Sequence, residues 1–94
     1  METLKTLQDA SRYTLHEVLD RWRQYEQELP LDDYPRTCPQ THVGLLHLLN
    51  KGTDSMPRIR ALAHVYDRPL EEMERIALDT KDLYKKGKNT PVLA

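Results

Sequence analysis

Apolar side chains between residues 39 and 78 recur three times at helical spacing, and each run carries its own start or stop signal. In the first run Leu45, Leu48 and Leu49 are joined by Val43 and Leu46. A helix with that pattern is apolar round more than half its circumference, which predicts a central position. Thr41 is placed to cap its first amides, and Asn50-Lys51-Gly52 ends it, with Gly52 suited to a positive φ and Lys51 to the negative end of the helix dipole. The second run, Ile59, Leu62, Ala63 and Tyr66, falls at i, i+3, i+4 and i+7 behind Ser55 and Pro57, a cap residue and a first-turn proline. Asp67-Arg68-Pro69 breaks that helix. A third starts at Pro69, with Glu71 and Glu72 in its first turn and Leu70, Met73, Ile76 and Ala77 as its buried stripe.

Ahead of this cluster, Leu4 and Leu7 share one face, and Leu15, Val18, Leu19 and Trp22 repeat the i, i+3, i+4, i+7 pattern, with Leu29 seven beyond Trp22. The spacing slips between Ser11 and Leu15, and Thr14-Leu15-His16-Glu17 has the form of a capping box. Residues 2–29 therefore form either one rod or two helices meeting near Arg12 to Thr14. Trp22, with Leu15, Val18 and Leu19, reads as core. Residues 30–39 hold three of the chain's six prolines and cannot be regular helix, so they form an extended linker that Tyr34 can pin to the core. Beyond Tyr84 periodicity is lost, and residues 85–94 read as a flexible tail. No strand-type alternation is visible. The expectation is an all-α single domain over residues 1–84, a small bundle of four to five helices made of an N-terminal helical segment (1–29), a Pro-rich linker (30–39) and a three-helix cluster (40–79).

Composition narrows the class further. At 94 residues, 38% hydrophobic and 31% charged, the chain is globular and sized for one domain. It has no Phe, so its core is thin, and the stripe from Leu4 to Leu29 is a candidate homodimer seam. A single cysteine, Cys38, allows no internal disulfide and suits a reducing compartment. With no signal peptide and no run of 18 apolar residues, a cytoplasmic protein without membrane contact is expected.

Net charge is only −1, but it is unevenly spread. Residues 1–34 carry four basic against eight acidic side chains, whereas residues 35–66 carry Arg36, Lys51, Arg58 and Arg60 against Asp54 alone. The centre of the chain is basic.

Catalytic chemistry finds little support. Cys38, His42 and His47 suggest a metal motif, but helical ligand pairs want i, i+4 spacing, the histidines are at i+5, and no fourth donor is evident. They read as a free thiol and surface or half-buried histidines. Asp32-Asp33 lies in a proline turn, and Glu71-Glu72 lies where acids favour the helix dipole. Glycines at 44, 52 and 87 are isolated, so there is no phosphate loop and no nucleophile elbow. A non-enzyme using no cofactor and no metal is expected.

From Gln40 to Ile76 the chain resembles the C-terminal part of the lambda-repressor/Cro-type helix-turn-helix domain. The likeness lies in Leu48-Leu49-Asn50-Lys51-Gly52, in the proline-led Pro57-Arg58-Ile59-Arg60-Ala61-Leu62-Ala63, and in Pro69-Leu70-Glu71-Glu72-Met73. It departs where the family's helix before the recognition helix falls on Pro30 to Pro39. Arg21-Trp22-Arg23-Gln24-Tyr25 and Tyr34-Pro35-Arg36 also look like segments of bacteriophage late-gene antiterminators. The first resemblance implies a transcription regulator on duplex DNA, with Gln40, Thr41 and His42 at base edges and Arg36, Lys51, Arg58 and Arg60 at phosphates. The alternative is a non-catalytic adaptor or inhibitor that binds a host or phage protein through an apolar helical surface. The coincidence of the basic charge with the resembling segment favours the regulator.

Overall fold

Thr3 and Thr14 set the first two helices. In the computed structural model, which describes residues 2–30 and 36–89, Thr3 forms a capping box with Thr6 at the start of α1 (Leu4–Ala10). Thr14 forms one with Glu17 at the start of α2 (Leu15–Gln27). Two orphan amides are satisfied reciprocally at each cap, so two helices form where a single rod was the other option. The corner is tied by Gln8 Nε2 donating to the Tyr13 carbonyl at 2.8 Å and by the Ser11 hydroxyl donating to the Gln8 carbonyl at 2.8 Å.

α3 (His42–Lys51) is capped by Thr41, whose hydroxyl accepts from the Gly44 amide at 3.0 Å. α4 (Met56–Val65) follows Ser55, but Ser55 supplies no side-chain cap; its own amide donates to Thr53 Oγ1 at 3.0 Å instead. The end of α4 is a Schellman motif. Asp67 takes a φ of 55°, its amide donates to the His64 carbonyl, and the Arg68 amide reaches the Ala63 carbonyl at 3.0 Å. Pro69 then starts α5 (Leu70–Asn89), which runs five residues past Tyr84. Residues 85–89 are helical where a flexible tail was expected, because adding residues to an existing helix needs no new nucleus.

α4 packs between α2 and α5, while α3 packs against α1, α2 and α5. Every described helix is α, and no described residue is in a strand. The core gathers Leu4, Trp22, Leu45, Leu49, Ile59, Leu62 and Met73, each at most 1% exposed. α1 is held at its start, where the buried Leu4 amide donates to Thr80 Oγ1 at 2.9 Å. Of the stripe offered as a dimer seam, Leu4, Leu7, Val18, Leu19 and Trp22 are buried within the chain, while Leu15 and Leu29 are half-buried. Two other apolar assignments are corrected: Val43 is 63% exposed and Leu70 is 40% exposed. Leu70 precedes the first full turn of contact, and Thr80 extends the buried stripe at its other end. Tyr34, Asp32, Asp33 and residues 90–94 lie outside the described residues. No described helix is long and apolar enough to cross a membrane.

Candidate functional site

α3 and α4 are consecutive, yet their backbones make no close approach, because the link from Gly52 to Ser55 lets them diverge. The gap between them is an open cleft of about 460 Å³. One wall is the flank of α3 with Gly44, His47, Leu48 and Lys51; the opposite side is Arg58 at the start of α4 and the extended segment Arg36 to Pro39.

That segment is fixed by the end of α2. The Arg36 guanidinium donates to the Glu26 carbonyl, a cation placed against the last turn of a helix, where orphan carbonyls are negative. The Thr37 amide donates to Glu26 Oε2 at 2.7 Å, and Glu26 itself is only 6% exposed. The Cys38 thiol donates to the Pro39 carbonyl at 3.3 Å. Burial, reinforced by the Glu26 charge, pushes this thiol above the ordinary cysteine range, so it is a neutral lining group and not a nucleophile at neutral pH.

Arg36, Lys51 and Arg58 therefore converge on one cleft, joined by His47, and among the described residues lining it there is no carboxylate. Three positive charges, offset in part by the buried Glu26 carboxylate behind Thr37 and Cys38, raise a positive potential that the walls focus. α4 adds to this, since its first amides lack a side-chain cap and its positive dipole end lies beside Arg58. Gly44 leaves one wall without a side chain. A Cβ there would meet only ordinary contacts, Thr41 Oγ1 at 3.4 Å and Pro39 Cβ at 3.5 Å, so the glycine widens the cleft without being required by the backbone.

The remaining sequence candidates lie elsewhere. Gln40 and His42 are exposed at the other end of α3, where His42 meets His16 edge-on with ring centroids 6.1 Å apart. The Thr41 hydroxyl is committed to the helix cap. Arg60 stands two residues from Arg58 and so faces nearly the opposite side of α4, on the side of His64 and Tyr25. The basic residues grouped by charge count thus divide in space: three share the cleft and one does not.

The metal motif to which His47 belongs in the sequence has the wrong spacing, and His47 is not among the contact residues the resemblance implies. It lines the cleft one turn before Lys51. Among the described residues no three His, Cys, Asp or Glu side chains gather to hold a metal ion. No protein-family model, curated protein or solved structure matches the chain.

Proposed function

We propose that the protein is a small DNA-binding regulator whose cleft between α3 and α4 takes the sugar-phosphate backbone. The observation that carries this reading is the convergence of Arg36, Lys51 and Arg58 on a cleft whose described lining residues include no carboxylate. Guanidinium forks match phosphate oxygens two at a time, and Lys51 adds a mobile point charge. Such contacts set register and affinity but read no sequence. Base reading falls to Gln40 and His42, exposed at the far end of α3; Thr41 drops out because its hydroxyl caps the helix.

The competing reading, an adaptor docking through apolar surface, needs a continuous stripe. Leu70, Leu78 and Leu83 are each 39–42% exposed, but they stand at different angles round α5, with Glu74 between the first two and Lys81 between the last two along the chain. Isolated outward leucines are ordinary surface.

The test is a fluorescence-anisotropy titration of labelled DNA at several salt concentrations. Affinity should fall linearly with log salt, and Lys51→Ala and Arg58→Ala should each flatten the slope by about one contact. Arg60→Ala should leave the slope unchanged, since Arg60 lies off the cleft. No binding at low ionic strength by protein shown to be folded overturns the reading.

A further inference from the structure

The cleft does not end at Lys51. A second depression of about 210 Å³, lined by His47, Asn50, Lys51 and Tyr84, shares His47 and Lys51 with it, so the concave surface continues across the outer face of α3 onto α5. At that end stands an aromatic ring. Tyr84 is half-buried, and the Lys51 ammonium lies 5.9 Å from its ring centroid, at the outer limit of a cation–π contact. Lys85 follows it, exposed on the same helix.

Shape decides which form of DNA suits this surface. A duplex is a convex rod read by an element that stands proud enough to enter a groove about 12 Å wide. α3 does not stand proud: it packs against three helices, and its cations line a concavity. A single strand is thin and flexible, so its backbone can follow a curved basic channel while its unpaired bases offer π-faces to an aromatic ring.

We propose that the strand taken up is single, with phosphates at Arg36, Arg58 and Lys51 and one base stacked on Tyr84. The proposal rests on the reading that the cleft binds a phosphate backbone, and goes beyond it in naming the strand form and the stacking residue. On binding, Lys51 exchanges the ring of Tyr84 for a phosphate, and the base takes the ring face that the ammonium leaves. Asn50, beside the ring, offers an amide to the edge of the stacked base.

The experiment compares fluorescein-labelled oligodeoxythymidine of about 16 nucleotides with its duplex on oligodeoxyadenosine, by anisotropy at low salt. The single strand should bind at least about tenfold more tightly than the duplex. Tyr84→Ala should weaken single-strand binding by about tenfold and leave duplex binding unchanged. Tyr84→Leu, which keeps apolar bulk without a ring, should behave like Tyr84→Ala, whereas Tyr84→Phe should bind like the parent. Far-ultraviolet circular dichroism checks that each variant is folded. A duplex bound as tightly as the single strand, or folded Tyr84→Ala and Tyr84→Leu proteins with undiminished single-strand affinity, overturns this inference and leaves the backbone-binding reading standing. Binding of neither form overturns both.

Discussion

Replacing Gly52 by alanine should remove a large part of the protein's stability. Its φ of 74° and ψ of −175° lie in a region that is essentially glycine's alone, and forcing another residue there costs on the order of 1–3 kcal/mol. Space makes matters worse. A Cβ on Gly52 would lie 2.4 Å from the Lys81 amide nitrogen, 2.7 Å from the Ala77 carbonyl oxygen and 2.9 Å from the Lys81 Cα. All three are backbone atoms inside α5, so no side-chain rotation relieves the clash, and the end of α3 must be pushed off α5. Overpacking of this kind typically costs a further 1–3 kcal/mol. A combined loss of about 3 kcal/mol is a conservative expectation against a total of about 5–15 kcal/mol. The melting temperature should then fall by about 12–24 °C. The assay is thermal and urea unfolding followed by circular dichroism, with Gly44→Ala as the internal control. Gly44 sits inside α3 with room for a methyl group, so alanine there should hold or raise stability by about 0.5–1 kcal/mol through helix propensity. A Gly52→Ala protein melting within about 4 °C of the parent would refute the claim that α3 and α5 touch through this glycine.

Three further expectations concern single side chains. Thr80→Val keeps the shape but leaves the buried Leu4 amide without its acceptor, which should cost about 1–3 kcal/mol, while Thr80→Ser should retain most of the stability; equal urea midpoints for Val and parent would refute the tie. The hydrogen bond and charge of Lys81 hold the Asp54 carboxyl below the usual aspartate range. A depressed folded-state pKa gives stability that is present at neutral pH and lost as pH falls through that lower value, so the gap in urea midpoint between parent and Asp54→Asn should close on acidification; a gap that persists at low pH would show that the pair is not its source. Cys38, with its thiol held protonated, should react with iodoacetamide more slowly than it does in the urea-unfolded chain at pH 8, and more slowly still when DNA fills the cleft it lines; equal rates folded and unfolded would contradict the burial.

Helix limits were legible where a residue has one dominant local role. Thr14 with Glu17 marks a start, Thr41 caps α3, and Asp67 ahead of Pro69 marks a stop, each through bonds within a few residues. Side-chain facing was less legible. Five apolar residues in α3 do not say which arc meets the core, and Val43 turned outward because α1, α2 and α5 cover the arc of Leu45, Leu48 and Leu49. The candidate site depends on tertiary geometry of this kind. Charge counting grouped Arg58 with Arg60, but helical pitch separates them, and Arg36 joins Lys51 only because the buried Glu26 anchors the segment after the linker. Ser55 looked like a helix cap, and its uncapped amides become informative only beside Arg58.

The bond from Leu4 to Thr80 joins residues 76 apart, and it bears on how the protein is made. α1 has seven residues, too few to persist alone in water, and it leaves the ribosome long before α5 exists. At about 5–20 residues per second, Leu4 waits roughly 4–15 s for its acceptor to be synthesised. Closing a loop of that length costs on the order of 4 kcal/mol in chain entropy, which the first bonded turn of α1 cannot offset. α1 also packs against α3, so what waits for α5 is the tie at its start: the Leu4 amide stays without its buried acceptor until Thr80 is in place.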